Sequence, residues 1–379
     1  MADLSVLSVR NRYFDDLFNT PDLAWMGQNT NHIPAHPAVT AAMVGSIEKG
    51  EFNAYAPPLG FEDLRAAIVE DFGIPGLEAL VTEGGVNALA LICRARAKPG
   101  TTFVTTDPTW KWPCLFAEQQ GAEVVQLPIY GPETDYKLTP DLLRAHIDER
   151  CAILYVVDPN NPLGVTYTRE EITAFAAIAA EHGALLVHDC TYRDFAEDHT
   201  PAVAVDTENC ICSLSFSKWL GLAGMRIGGL IGTPGLIAEL AAVSTSVLGG
   251  NVVAQRGAMA GLKVKSEWMA EVRRIDRANK EKIKASAEAI GLTVPVWPSH
   301  GNFLVLETSA TGVSPEAIVE AARLDGVMIR QGAYHTAAFG DRFIKVSTTV
   351  PEDWADKLAT KLADYVETAR GLSDVPALF

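Results

Sequence analysis

The sequence predicts an α/β fold: a mainly parallel, seven-stranded sheet sandwiched by helices in a large domain, with a smaller α+β domain beside it. Three observations predict it. Short β-rich runs, apolar on both faces, recur through the middle of the chain; alanine-rich helical stretches separate them; and the texture changes after about residue 265. Strands buried on both faces and alternating with helices imply a parallel sheet covered on both sides.

The strand series opens near 78–82. It continues with TFVTTDP (102–108), AEVVQLP (122–128), AILYVVDP (152–159), ALLVHD (184–189), ICSLS (211–215) and IGGLIG (227–232), each ending in Asp, Pro, Ser or Gly. Among the helical stretches, REEITAFAAIAAEHG (169–183) is closed by Gly183 after His182 in its last turn. Beyond 265 come a long charged helix (266–291), strands at 301–308, 326–332 and 342–348, and a final helix near 351–370. The expected domains are 46–265 for the large one, and 1–45 with 266–379 for the small one.

At 379 residues, 48% apolar and 21% charged, the chain is globular and long enough for two domains or more. A net charge of −16 excludes the basic footprint of a nucleic-acid binder and disfavours an anionic membrane. No apolar run approaches the roughly 18 residues of a membrane span, and the opening MADLSVLSVRNRYFDD lacks a secretory core. The six scattered cysteines read as buried reduced thiols, and Cys210 and Cys212 have no partner pair for a zinc site. The expectation is a soluble cytoplasmic protein without a metal.

In an open α/β sheet, ligands bind beyond the carboxyl ends of the strands. There the chain places EGGVNALAL, whose Gly84, Gly85 and Val86 amides open a helix and form an anion site. DPTWKWP follows, in which Trp110 is either core or a flat face for a planar ring. In DPNNPLG, turn chemistry explains every residue, or Asn161 reaches a ring oxygen. In HDCTY, Asp189 either caps a turn or pairs with a fixed cation, and Tyr192 follows three on; His188 and Cys190 point to the opposite sheet face, against a metal cluster. Last comes SLSFSKWLGLAGMRIGG: Ser215, Ser217 and Arg226 suit a phosphate, and Lys218 remains for covalent chemistry. Together they describe a site for pyridoxal phosphate, whose protein contacts are a lysine Schiff base and an Asp–pyridinium pair.

This set, in this order, resembles the class I/II aminotransferases of the fold-type I pyridoxal-phosphate superfamily, over nearly the whole chain. SFSKWLGLAGMRIG is similar to S-x-S-K-x-x-G-x-x-G-x-R-x-G, NNPLG to N-P-x-G, DCTY to D-x-x-Y, and YAPPLGFEDLRAAI to Y-x-x-x-x-G-x-x-x-L-R-x-A-I. The resemblance implies that Lys218 is the Schiff-base lysine and proton shuttle, and that Asp189 holds the pyridine nitrogen protonated. Asn161 and Tyr192 would contact the ring oxygen and Trp110 would stack, while Ser215, Ser217, Arg226, Gly84, Gly85 and Val86 bind the phosphate. It further implies a homodimer with shared active sites, in which Tyr55 reaches the neighbouring subunit's phosphate and Asn251 and Gln255 lie at the contact.

One departure stands out. Family members place an arginine in the C-terminal strand to clamp the substrate carboxylate, and here FIKVS puts Lys345 there. A lysine is a point charge and not a fork. Either Lys345 binds the carboxylate less rigidly, or the substrate is not an ordinary α-amino acid, or Lys345 is a solvated strand residue. Arg330 could take over anion recognition, as in the histidinol-phosphate-like branch. Gly27 and Asn161 complete the expected substrate side, Lys111 is a further candidate, and nothing resembles the second arginine of aspartate-specific members. The implied activity is transamination between an amino donor and an oxo acid. Decarboxylation, elimination or oxidation on the same lysine–aspartate core is the alternative. A DNA-binding regulator carrying this fold would need a basic module that the charge does not supply.

Overall fold

The computed structural model describes residues 4–245, 247–372 and 375, which divide into two compact units. The larger comprises Asn31–Arg274 and Val296–Asn302; the smaller takes the described residues up to Thr30, Ile275–Pro295 and those from Phe303 onward. The expected boundaries were 45/46 and 265/266, and local contacts explain the difference. Helix Pro37–Glu48 packs on helix Val252–Lys263, and Asn31 Nδ2 donates to the Trp219 carbonyl at 3.2 Å. Trp268 Nε1 donates to the same carbonyl at 2.8 Å, holding the start of helix Lys265–Ala289 in the larger unit.

Strands are numbered along the chain, β1 (Ala24–Trp25) belonging to the smaller unit. In the larger unit β2 (Glu78–Thr82), β3 (Thr102–Asp107), β4 (Glu123–Pro128), β5 (Cys151–Val157), β6 (Leu185–Asp189), β7 (Cys210–Ser215) and β8 (Gly228–Gly232) form one sheet ordered β2-β8-β7-β6-β5-β3-β4. All pairs are parallel except the two made by β8. The sequence expectation of strands apolar on both faces fails at β4. Glu123, Gln126 and Pro128 are exposed there because β4 is an edge strand.

Alternation sets the two faces of the sheet. Phe103, Ile153, Tyr155, Val157, Val187, Ile211 and Leu230 share one core with Leu89, Ile92 and Cys93 of helix Gly85–Arg96. Each fully buried aliphatic side chain here contributes roughly 1.5–3 kcal/mol. Helix Arg169–Glu181 packs on β6 and on the turn Ala202–Ala204. It begins at a capping box in which Thr168 and Glu171 satisfy each other's backbone amides.

In the smaller unit, β9 (Phe303–Glu307), β11 (Arg330–Gln331) and β12 (Phe343–Ser347) form an antiparallel sheet, while β1 pairs in parallel with β10 (Val327–Met328). The single strand expected at 326–332 is thus two short strands in different sheets, parted at Ile329. Ile344 and Val346 face a core with Leu304, Leu306, Ile318 and Leu358, so by alternation Lys345 faces away from it. All six cysteines are free and buried. Among the described residues no helix is long and apolar enough to cross a membrane.

Candidate active site

Parallel β5, β6 and β7 end together, and register decides what meets there. Asp189 lies beside Val157 on one side and Ser213 on the other. Its carboxylate is 3% exposed and surrounded by neutral donors. Oδ1 accepts from the Thr191 amide (3.1 Å), Thr191 Oγ1 (2.7 Å) and Ser213 Oγ (2.9 Å). Oδ2 accepts from the Tyr155 hydroxyl at 2.9 Å. The carboxylate is therefore fixed without a cationic side chain in that shell. Burial, then the Asp189 charge, pushes the Tyr155 phenol well above its usual range, so it stays a donor.

Lys218 follows the end of β7 and is partly buried. Burial and the Arg226 charge lower its ammonium pKa from 10.5 to about 8, against the opposing pull of Asp189. Near neutral pH about one Lys218 in ten is then the free base, where an unperturbed lysine would be protonated almost completely. The same amine, after burial, lowers the pKa of His32.

Around Lys218 the chain builds an anion cradle. Gly84 has φ +83°, and a β-carbon there would meet Arg226 Nη2 at 2.6 Å. A β-carbon on Gly228 would lie 2.6 Å from the Gly85 nitrogen, so only glycine lets β8 press against this helix start. Helix Gly85–Arg96 has no side-chain cap, which leaves the first-turn amides of Gly85 and Val86 for an outside acceptor. Gly85 lies against Ser215 and Thr191. Ser215 Oγ accepts the Ser217 amide at 3.2 Å. Arg226, itself at φ +53° and exposed, is held by the Ala223 carbonyl at 2.9 Å.

The turn carrying Asn161 is built by its neighbours. Asn160 Oδ1 accepts the Leu163 amide at 3.1 Å, and its backbone closes on Val165 and Gly164. Asn161 is 4% exposed. Beneath it, buried Asp158 accepts from Thr166 Oγ1 (2.7 Å), His188 Nε2 (3.2 Å) and His199 Nε2 (3.3 Å). Burial would raise this carboxyl, but the two imidazoles outweigh it and hold it well below the usual range.

Asp158, His188 and His199, and likewise His188, Cys190 and Cys212, bring ligand atoms within 4.8 Å of one another, a spacing a metal could use. The second shell argues against it. The Ala202 amide donates to His188 Nδ1 at 3.0 Å, so the ring proton lies on Nε2, facing Asp158. A histidine ligating through either nitrogen needs that nitrogen bare and the other protonated. The group pins the ends of β5 and β6 together.

Tyr192 is 4% exposed. The next turn is anchored by Arg193, paired with Asp71 and 3.8 Å over the Phe72 ring. Lys265 bridges Asp194 (2.6 Å) and Asp71 (2.7 Å) and lies 4.9 Å over the Trp219 ring. One ion network thereby fixes the residues following Tyr192 and Lys218. Trp110 is half-buried, leaning on the core, and Lys111 is exposed at the start of helix Trp112–Gln119. Tyr55 is 82% exposed. The contact role expected of Gln255 is corrected: it is 1% exposed, with Oε1 on the Phe61 amide and Nε2 on the Gly250 carbonyl. Asn251 caps helix Val252–Lys263 through the Ala254 amide.

In the smaller unit Lys345 is 2% exposed, which excludes the solvated-strand reading. It stands directly opposite Arg330 across β11 and β12. Lys345 Nζ lies 5.3 Å over the Phe303 ring, and the Arg330 guanidinium 4.5 Å over Tyr334. Gly27 has no space for a side chain, since a β-carbon would meet Met328 Sδ at 2.4 Å; its carbonyl accepts from Arg330 Nε at 3.4 Å.

Sequence reasoning missed Tyr155, Thr191, Ser213 and His32. Ser213 had a signal, being two residues before Ser215 on the same face. Tyr155 had one too, as the phenol in an otherwise aliphatic strand, where a buried hydroxyl requires a partner.

The family described as aminotransferase class I and II matches residues 21–362. A histidinol-phosphate aminotransferase of Mesorhizobium japonicum is 28% identical over 358 residues, spanning 93% of this chain and 92% of that protein. The aspartate/prephenate aminotransferase of Thermus thermophilus is 28% identical over 309 residues, 78% of this chain and 79% of its own. Among solved structures, a double mutant of the Thermus thermophilus aspartate aminotransferase superimposes with a TM-score of 0.82 at 26% identity, covering 96% of this chain and 97% of that one.

Proposed function

The chain belongs to the aminotransferase class I and II family, and from that membership we propose that it moves an amino group between an amino donor and an oxo acid, with Lys218 as the residue that binds the cofactor covalently. The family's cofactor is pyridoxal 5'-phosphate. The strand ends fit it: a cradle of bare amides, hydroxyls and a guanidinium suits its phosphate, and Asp189 Oδ2 carries one donor where Oδ1 carries three. When bound, it supplies an aldehyde carbon and a ring that draws electrons from the substrate's α-carbon.

The observation that carries the reading is the Lys218 amine, lowered to about 8 beside a fixed carboxylate and an anion cradle. A base near the working pH can both take a proton and return it. Lys218 Nζ would take up the substrate's α-proton and return it. Asp189 Oδ2 holds the ring-nitrogen proton, since an adjacent carboxylate favours the charged form of a base. The Asn161 amide and Tyr192 hydroxyl orient the ring oxygen, Trp110 covers a ring face, and Gly84, Gly85, Val86, Ser215, Ser217 and Arg226 hold the phosphate.

Lys345 and Arg330 take the anionic group of the substrate. Two buried cations in register across adjacent strands are complementary to an anionic group. The relatives are named for histidinol phosphate and for aspartate and prephenate, which are anionic too. Exposed Tyr55 completes the phosphate site of a second copy, and the active form is a homodimer working in the cytoplasm.

The test is an amino-donor screen that follows the bound cofactor's absorption, on the wild type and on Lys345→Arg. Conversion to the aminated cofactor with an oxo product supports the reading. Release of ammonia or carbon dioxide without that conversion replaces transamination by elimination, oxidation or decarboxylation. A gain of ordinary α-amino acids by the arginine variant assigns Lys345 to substrate choice; an unchanged profile removes it from the site.

A further inference from the structure

The four donors around Asp189 are unevenly distributed. Three converge on Oδ1, from Thr191 twice and from Ser213, which leaves that oxygen no room for another. Among the described residues Oδ2 accepts from Tyr155 alone, at 2.9 Å. The tyrosine is fully buried, its ring tilted against Phe103 at 5.7 Å between centroids, and Thr105 Oγ1 donates to its carbonyl at 2.9 Å. The phenol therefore has one direction in which to donate. Val157 and Val187, its neighbours on this face, are apolar.

We propose that Tyr155 is a positioning residue for the reaction: it turns Asp189 so that the one remaining lone pair of Oδ2 faces the cofactor's ring nitrogen, and it draws off part of the carboxylate's charge. This deepens the proposed function and rests on its assignment of Asp189 to the ring nitrogen. Two donors then share Oδ2, the phenol permanently and the ring N–H when the cofactor is bound. Hydrogen bonds to an ionised acceptor are about twice as strong as neutral ones, so the phenol is a substantial partner. Without it Asp189 is freer to rotate and carries more uncompensated charge toward the ring. The other titratable groups around this corner are Lys218 after β7, Arg226 before β8, Tyr192 after β6 and Cys114 on helix Trp112–Gln119.

The test uses holoenzymes of the wild type, Tyr155→Phe, Ser213→Ala and Asp189→Asn. Phenylalanine keeps the ring and its packing, so the fold should survive; melting temperatures of the cofactor-free proteins check this. For Tyr155→Phe we expect roughly a tenfold loss in kcat with KM little changed, because removal of one charge-assisted bond acts on the chemical step. We also expect the pH at which the cofactor's visible band changes to move upward, since a less compensated carboxylate favours the protonated form of the cation beside it. Ser213→Ala, acting on the oxygen turned away from the ring, should move that pH less. A Tyr155→Phe enzyme with wild-type kcat and an unmoved titration overturns the proposal. So does a loss of kcat that merely follows a fallen melting temperature while the titration stays in place. Asp189→Asn separates the two levels. If it keeps wild-type turnover, the assignment of Asp189 itself fails, whatever Tyr155→Phe does; if it is crippled while Tyr155→Phe is normal, only the role of the tyrosine fails.

Discussion

Two buried clusters of charge are built in opposite ways. In the larger unit one acid, Asp189, is enclosed by four neutral hydrogen bonds from three residues of β5, β7 and the turn after β6. In the smaller unit two bases, Arg330 and Lys345, face each other across adjacent strands, each against an aromatic face. The acid is held in place by donors of the chain itself, with fewer on Oδ2 than on Oδ1. Two like charges in register are complementary to an anion that can reach both. A preorganised acid suits a permanent guest, and a pair of bases suits one that arrives and leaves. Under the proposed function, that is the division between a cofactor and a substrate.

The largest effect should come from Lys218. Under the proposed function Lys218→Ala removes both the covalent tether and the proton carrier, and turnover should fall by about 10⁴-fold or more. Loss of the visible band on dialysis would accompany it; a variant that keeps its colour and its rate would show that Lys218 neither tethers the cofactor nor carries the proton. Asp189→Asn keeps the shape and removes the charge, with an expected loss in kcat of about 10²–10³-fold. Steady-state rates measured at saturating donor separate it from a binding defect.

Smaller effects should fall on the two bases. Lys345→Gln should raise KM for an anionic donor about ten- to a hundredfold, the weight of one or two charge-assisted bonds, and change kcat less. The opposite split, a lost kcat with KM intact, would mean that Lys345 does not read the substrate. This residue also marks how far the sequence was legible. Strands that are apolar on both faces, and the ordered chemistry at their ends, followed from composition and spacing, so Lys218, Asp189 and Arg226 could be named. The burial of Lys345 could not, because a lone lysine in FIKVS reads equally as solvated; only the register with Arg330 and the core behind Ile344 and Val346 decide it. What Tyr155 pairs with was hidden for the same reason. Its partner Asp189 lies 34 residues away, brought near by parallel pairing that no local pattern specifies. The exposed edge strand β4 escaped notice because strand order is a tertiary property.

The smallest effect concerns the protein without cofactor. Lys218 holds its proton to about pH 8 in the folded chain, for which burial is the first cause, against 10.5 unperturbed. Between those values the unfolded chain binds a proton that the folded chain has released, and stability therefore rises with pH across that window. Below pH 8 both states are protonated, and the folded state carries the penalty of a charged, partly buried amine beside Arg226. Melting temperatures of the cofactor-free wild type should accordingly gain between pH 8 and 10.5 relative to Lys218→Met, whose hydrophobic side chain cannot titrate. The difference should be modest, because the residue is only partly buried. Parallel melting curves for the two proteins across the window would show that the amine is not strained when empty. The larger unit's acid would then already compensate the lysine as well as it later compensates the ring, and the contrast with the paired bases would narrow to geometry.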